Sequence, residues 1–150
     1  MAKQHELIEQ KTLFEFLAMI EGHEPLLQYI FHVPNGGHRH PAVAAQLKAA
    51  GVKRGVPDIL FPIPFGEYTG LAIELKAGLN RTTKEQVVWL DVLEQYKWKT
   101  KVCYGWVDAA ILIVEYIGKS PERYNLLIAK DAYVRQHTTK KAQKKPRNTN

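Results

Sequence analysis

Apolar residues recur near helical period at Leu7, Leu13, Phe14, Leu17 and Ile20, which predicts a helix over residues 5 to 21. Gly22 and Pro25 end it. The run Leu26 to Val33 is short and almost wholly apolar and reads as a strand, and Pro34-Asn-Gly-Gly37 then supplies a fixed φ and positive-φ residues for a loop. A second helix is predicted over 41 to 50, with Pro41 in its first turn and Gly51 just past its end. Val56 to Pro64 is an apolar strand whose prolines at 57, 62 and 64 restrict its ladder to a few residues. After a turn over 65 to 70, Leu71 to Ala77 alternates with the two-residue period of a strand. Thr82-x-x-Glu85 and Thr83-x-x-Gln86 both have capping-box spacing and open a helix reaching about Lys97. Thr100 to Tyr104 is a further strand, and Val107, Ala110, Ile111, Val114 and Ile117 mark an amphipathic helix. Residues 121 to 135 add one element whose type the pattern leaves open. The order helix, strand, helix, strand, strand, helix, strand, helix predicts a mixed α/β sandwich rather than a regular βαβ alternation.

Composition narrows this to one soluble domain of 150 residues, 45% hydrophobic and 24% charged, with enough apolar material for a core without staples. Cys103 is the single cysteine and lies in an apolar run, so an internal disulfide is excluded and a buried small hydrophobe is expected. No apolar stretch approaches the ~18 residues of a bilayer span, the amino-terminal residues have no signal-like apolar region, and a cytoplasmic protein is expected. The net charge of +6 is uneven. After Asp131 there is no acidic residue, while Lys140, Lys141, Lys144, Lys145 and Arg147 are all basic. The expected organisation is a domain over 1–136 and a basic, disordered tail over 137–150 that suits a nucleic-acid partner.

The chemistry concentrates in two segments. In Gly70-Leu-Ala-Ile-Glu-Leu-Lys-Ala77, alternation sends Leu71, Ile73, Leu75 and Ala77 to one face, and Gly70, Ala72, Glu74 and Lys76 to the other. The small residues at 70 and 72 are expected to leave open space ahead of a carboxylate and an ammonium two residues apart. Taken alone, Glu-x-Lys is a common triplet that often forms only a modest surface ion pair. Gly55-Val-Pro-Asp58 places an aspartate at the mouth of the preceding strand. If the two strands form a hairpin through the 64–70 turn, residue i faces about residue 134 − i, so Asp58 stands opposite Lys76 and one pleat from Glu74. Two carboxylates and a lysine then converge.

Pro57-Asp58 followed by Glu74-x-Lys76 resembles the PD-(D/E)xK nuclease motif. The longer ordered set is His32-Val-Pro-Asn-Gly-Gly37, Leu47-Lys-x-x-Gly-Val-x-x-Gly-Val-Pro-Asp58, Gly70-Leu-x-Ile-Glu-Leu-Lys76 and Gln86. It is similar to the VRR-NUC branch of that superfamily, in its small stand-alone phage and bacterial form, over about residues 4 to 118. The resemblance implies a restriction-endonuclease-like α/β core, a mixed central β-sheet flanked by helices, and hydrolysis of DNA phosphodiester bonds with Mg2+ or Mn2+. It implies Asp58, Glu74 and the Leu75 carbonyl as metal ligands, Lys76 as the residue positioning or activating water, and Gln86 reaching the site from the following helix. A further glutamate of the first helix is implied, for which Glu6 is favoured by its spacing to Gln10, with Glu9 an open alternative. Two carboxylates suit a hard cation that keeps several waters, whereas the cysteine and scattered histidines lack zinc-ligand spacing. Asn35 and Arg39 in the glycine loop, and Lys53 and Arg54 near Asp58, are candidate phosphate contacts, with solvated loops as the alternative. The implied substrate is DNA, including four-way junctions and flaps in replication, repair or recombination, cut by a homodimer without a membrane. The competing expectation is a noncatalytic nucleic-acid-binding module on the same fold.

Overall fold

The computed structural model describes residues 2–34 and 40–143, with side chains over 4–34 and 40–138. Its elements are helix α1 (Ala2–Ile20), a 3₁₀ turn (Pro25–Tyr29), strand β1 (Phe31–His32), helix α2 (Pro41–Ala49), strands β2 (Ile59–Phe61) and β3 (Gly70–Lys76), helix α3 (Lys84–Gln95), strand β4 (Trp98–Tyr104), helix α4 (Trp106–Tyr116), a second 3₁₀ turn (Pro121–Tyr124) and helix α5 (Leu126–Gln143). The four strands form one mixed sheet in the order β1-β2-β3-β4, with the first two pairings antiparallel and β3–β4 parallel. This is the expected mixed α/β arrangement.

Each face of β3 has its own helical cover. Leu71, Ile73 and Leu75 join Ile59 and Phe61 of β2, Leu13 and Leu17 of α1, and the apolar residues of α4 in one buried cluster. Full burial of each such side chain contributes roughly 1.5–3 kcal/mol, so this layer holds the sheet flat against α1 and α4. On the opposite face α3 packs over β3 and β4. A strand covered on both sides has no solvated face, and all seven residues of β3 are buried.

Several expectations are corrected. The apolar run 26–33 is mostly a 3₁₀ turn, because Pro25 starts a tight turn and only Phe31 and His32 reach the ladder. Leu7 is exposed, since its six-residue offset from Leu13 puts it off the buried stripe of α1. α4 is buried almost all round rather than amphipathic, because α5 covers the side turned away from the sheet and α1. α5 resolves the open element at 121–135 as helix, and it continues through residues 137–143 of the expected tail; residues 144–150 lie outside the described part. Cys103 sits in the core, and burial pushes its thiol up to about 12, so it acts as a hydrophobe. Among the described residues no helix is long and apolar enough to cross a membrane.

Candidate active site

The open space expected ahead of Glu74 and Lys76 is filled. Gly70 pairs with Trp98 on the neighbouring strand, and a Cβ at Gly70 would lie 2.7 Å from Trp98 Cε3, so the glycine is needed to admit the indole. With Ala72 fully buried behind it, Glu74 has no solvent exposure and Lys76 only 6%. The surface ion pair that this triplet often makes is replaced by a buried one, with Lys76 Nζ 2.7 Å from Glu74 Oε1.

Asp58 reaches this pair from the end of β2. The observed register joins Ile59 to Ile73, Leu60 to Ala72 and Phe61 to Leu71, a sum of 132 rather than the expected 134. The shift of two keeps every side chain on its expected face, but moves Asp58 from opposite Lys76 to opposite Glu74. The turn between the two strands carries an isolated antiparallel bridge, Phe65 to Tyr68. Asp58 is anchored twice. Its carbonyl accepts from Val33 N at 2.8 Å and from His32 Nδ1 at 2.9 Å, and its Oδ2 accepts from Leu75 N at 2.9 Å. The N–H and C=O of one strand residue point to the same edge, so the Leu75 carbonyl is directed to the side where Asp58 stands.

Gln86 serves the site and the helix end together. Its Oε1 accepts from Thr83 N at 2.8 Å in the capping box that starts α3, while its Nε2 donates to Glu74 Oε1. The structure also separates the two glutamates of α1. Both Glu9 oxygens are engaged away from the carboxylate pair, accepting from Trp106 N and from Tyr133 Oη, each at 2.8 Å. Glu6 is close enough for its charge to act on Asp58, and its Oε1 accepts from Asn80 Nδ2 at 2.7 Å. Asn80 is the residue that sequence reasoning missed. It sits in the turn after β3 and its partner is 74 positions away, so no local spacing could mark it.

The candidate phosphate contacts are less gathered. Lys53 and Arg54 are exposed on the loop leading to Asp58, which is tied to α3 by the indole of Trp89 donating to Arg54 O at 2.9 Å. Asn35 and Arg39 fall outside the described residues.

The model of the VRR-NUC domain family matches residues 8–106, about two thirds of the sequence. The chain belongs to the VRR-NUC family. A solved structure described as a VRR_NUC domain protein is 28% identical, covering 77% of this chain and 90% of its own, with a TM-score of 0.63. Among curated proteins nothing matches. A VRR-NUC domain is nuclease-type, and the matched span includes Asp58, Glu74, Lys76 and Gln86 while ending before the body of α4.

The electrostatics of this VRR-NUC site fit a hard cation. Burial and the neighbouring Asp58 charge push Glu74 up to about 7, despite the Lys76 ammonium. Burial also raises Asp58, opposed by the Leu75 amide and Lys76. Glu74 Oε1 takes donors from both Lys76 and Gln86, yet buried Oε2 has no protein hydrogen bond. A buried carboxylate oxygen without a partner costs on the order of 1–3 kcal/mol, and a divalent cation beside Asp58 would offset that cost. Among the described residues no three His, Cys, Asp or Glu side chains gather as a metal cage. The Asp58 and Glu74 carboxylates and the Leu75 carbonyl are oxygen donors, the kind that a hard divalent cation takes.

This carries a pH prediction. Because Glu74 binds its proton more tightly folded than its ordinary 4.5, the folded state holds more protons between about 4.5 and 7. Its contribution is therefore fully present below 4.5 and is lost as pH rises through about 7. In chelator, the melting temperature of the parent should fall relative to that of Glu74→Gln as pH rises from about 5 to about 8. Added Mg2+ or Mn2+ at the higher pH should restore the parent and not the variant. Parallel melting curves that never diverge would contradict the buried carboxylate.

Proposed function

We propose that this VRR-NUC protein is a metal-dependent endonuclease of the PD-(D/E)xK type that hydrolyses DNA phosphodiester bonds. The observation that carries the reading is Glu74. It is wholly buried, held on one oxygen by Lys76 and Gln86, and left without a protein partner on the other, next to Asp58. Burying this much charge is costly, and a module that only bound nucleic acid would gain nothing from it.

Asp58, Glu74 and the Leu75 carbonyl are the proposed ligands, with Glu6 nearby through Asn80. A bound divalent cation would polarise the phosphate and lower the pKa of a coordinated water. The residues of the chain supply the rest. Gln86 and Lys76 fix one Glu74 oxygen and thereby aim the other. The Leu75 amide holds the Asp58 carboxylate in place. Lys76, with its ammonium against Glu74, positions the attacking water and meets the charge that develops on the phosphoryl oxygens. Asn35, Arg39, Lys53 and Arg54 are proposed to contact the backbone at the entrance. Four-way junctions and flaps are the proposed substrates, and a homodimer the proposed form, since two symmetry-related sites suit cleavage of two strands.

The test is a panel of labelled junction, flap, duplex and single-stranded oligonucleotides incubated with Mg2+, Mn2+ or chelator. Cleavage of a DNA substrate is expected with either metal and none with chelator. Cutting that continues unchanged in chelator would overturn the metal dependence, and intact substrates throughout would overturn the nuclease reading.

A further inference from the structure

At the end of the sheet away from the carboxylates lies a cavity of about 460 Å³. It opens between the turn that joins β2 to β3, the start of β4 and the end of α4. Gly70 begins β3 just after that turn, and Glu74 lies four strand residues further on, roughly 13 Å away at strand rise. The cavity and the candidate metal site are separate places.

The turn explains why rings gather there. Phe65 N donates to Tyr68 O at 3.2 Å and Tyr68 N donates to Phe65 O at 3.1 Å. Residues paired in this way send their side chains to one side, and both rings meet Tyr116 at the end of α4, with centroids 5.3 and 6.3 Å away. The Tyr116 hydroxyl donates to Ile63 O at 2.7 Å, so its polar end is occupied and its ring is held. Leu112 and Ile117, both buried, complete the apolar lining.

Three charged residues share this lining, Glu67, Lys99 and Glu115. Among the described residues none of them makes an ion pair. Lys99 instead places its Nζ 5.2 Å from the centre of the Tyr68 ring, so this aromatic wall already holds a cation. Two carboxylates against one ammonium leave an excess of acid here, in a chain whose net charge is +6.

Rings beside unpaired carboxylates define the class of ligand. A guanidinium satisfies both, since its flat face stacks on an aromatic ring and its fork of N–H donors takes a carboxylate. A phosphate would meet Glu67 and Glu115 as like charges, which disfavours a nucleic-acid backbone. Free arginine brings its own carboxylate into the same repulsion, whereas an arginine within a polypeptide has neutral amides on either side. The volume is that of an ordinary ligand pocket and admits such a side chain with its neighbouring backbone.

We propose that this cavity docks an arginine side chain of a partner polypeptide, with Lys99 as the resident cation that the arginine displaces from Tyr68. The claim does not depend on the nuclease reading. It gives the molecule a second binding surface that leaves the carboxylate end of the sheet free.

The test titrates a capped Gly-Gly-Arg-Gly-Gly peptide into the isotope-labelled full-length protein at low salt and follows the backbone amides by NMR. Saturable shifts are expected at residues 65–68, 99 and 112–118. The same peptide with citrulline, which keeps the shape and loses the charge, should leave them unmoved, and free arginine should bind about 5-fold more weakly or worse. Glu67→Gln and Glu115→Gln alter exposed side chains and should each weaken peptide binding by about 2- to 5-fold while melting stays cooperative. Lys99→Gln should instead tighten it by a similar factor, because the competing cation is gone. Equal binding of the citrulline peptide, parental affinity in both glutamate variants, or a Lys99→Gln protein that binds no more tightly than the parent would each overturn the proposal. Free arginine binding as well as the peptide would make this a small-molecule site, and a DNA duplex in chelator that moved the same amides would make it a nucleic-acid site. Either result overturns the polypeptide partner.

Discussion

Asp58→Ala and Glu74→Ala should each lower DNA cleavage by roughly 10³-fold or more while leaving DNA binding in chelator at the parent's level. A metal that polarises a phosphoryl oxygen is worth several kcal/mol in the transition state, and each 1.36 kcal/mol is tenfold in rate, so losing a principal ligand costs about three powers of ten. The two variants differ in what they leave behind. Removing Glu74 strands the Lys76 ammonium and the Gln86 amide, which both donate to it, in a buried setting. Asp58 leaves only the Leu75 amide without its acceptor. Glu74→Gln and Asp58→Asn, which keep the shapes, separate lost chemistry from lost folding. Their melting curves should remain cooperative while cleavage falls. Retention of parental cleavage by both conservative variants would show that these carboxylates do not do the chemistry.

Gly105→Ala should destabilise the protein by roughly 3–5 kcal/mol, lowering the melting temperature by about 10 °C. Gly105 has φ 89° and ψ 163° at the junction of β4 and α4, a region that essentially only glycine occupies. A Cβ there would also overlap the Tyr133 hydroxyl and ring carbon Cζ. That ring cannot simply step aside, because its hydroxyl donates to Glu9, which caps the first turn of α4 through Trp106 N. Gly118→Ala is the control. It has φ 73° with nothing within 4 Å of its added Cβ, and should cost only about 1 kcal/mol. Equal losses in the two variants, by thermal or denaturant melting, would show that the Tyr133 contact does not contribute.

Much of the site was legible because its signals are local. The parity of β3 sets which residues share a face, and that parity is written in Leu71, Ile73 and Leu75 against Ala72, Glu74 and Lys76. The capping box that starts α3 places Gln86 one turn in, and the same side chain then reaches Glu74. The Pro57–Asp58 corner marks the mouth of β2, whose prolines confine the ladder to Ile59–Phe61. What was misread depended on turn geometry or on distant partners. The hairpin register differed by two residues from the expected one, and nothing in the alternation of apolar residues is altered by a shift of two. Apolar run 26–33 was ambiguous because a proline-initiated 3₁₀ turn and a short strand bury similar residues.

From periodicity, capping residues and the ordered motif, the chain alone settled the elements from β2 to α4, the mixed α/β class, and the identity of the acidic and basic groups at the end of β3. These are properties of neighbours in sequence, where spacing of two or of 3.6 residues dictates direction. Packing in three dimensions settled how those groups behave. Cover from α3 on one side and from α1 and α4 on the other turned an ordinary Glu-x-Lys into a buried pair with a strongly raised carboxyl. It also gave Glu6 and Glu9 different partners, because only the assembled fold brings Trp106 and Tyr133 onto Glu9 and Asn80 onto Glu6. Burial and long-range contact are sums over residues far apart in the chain, and no local pattern encodes them.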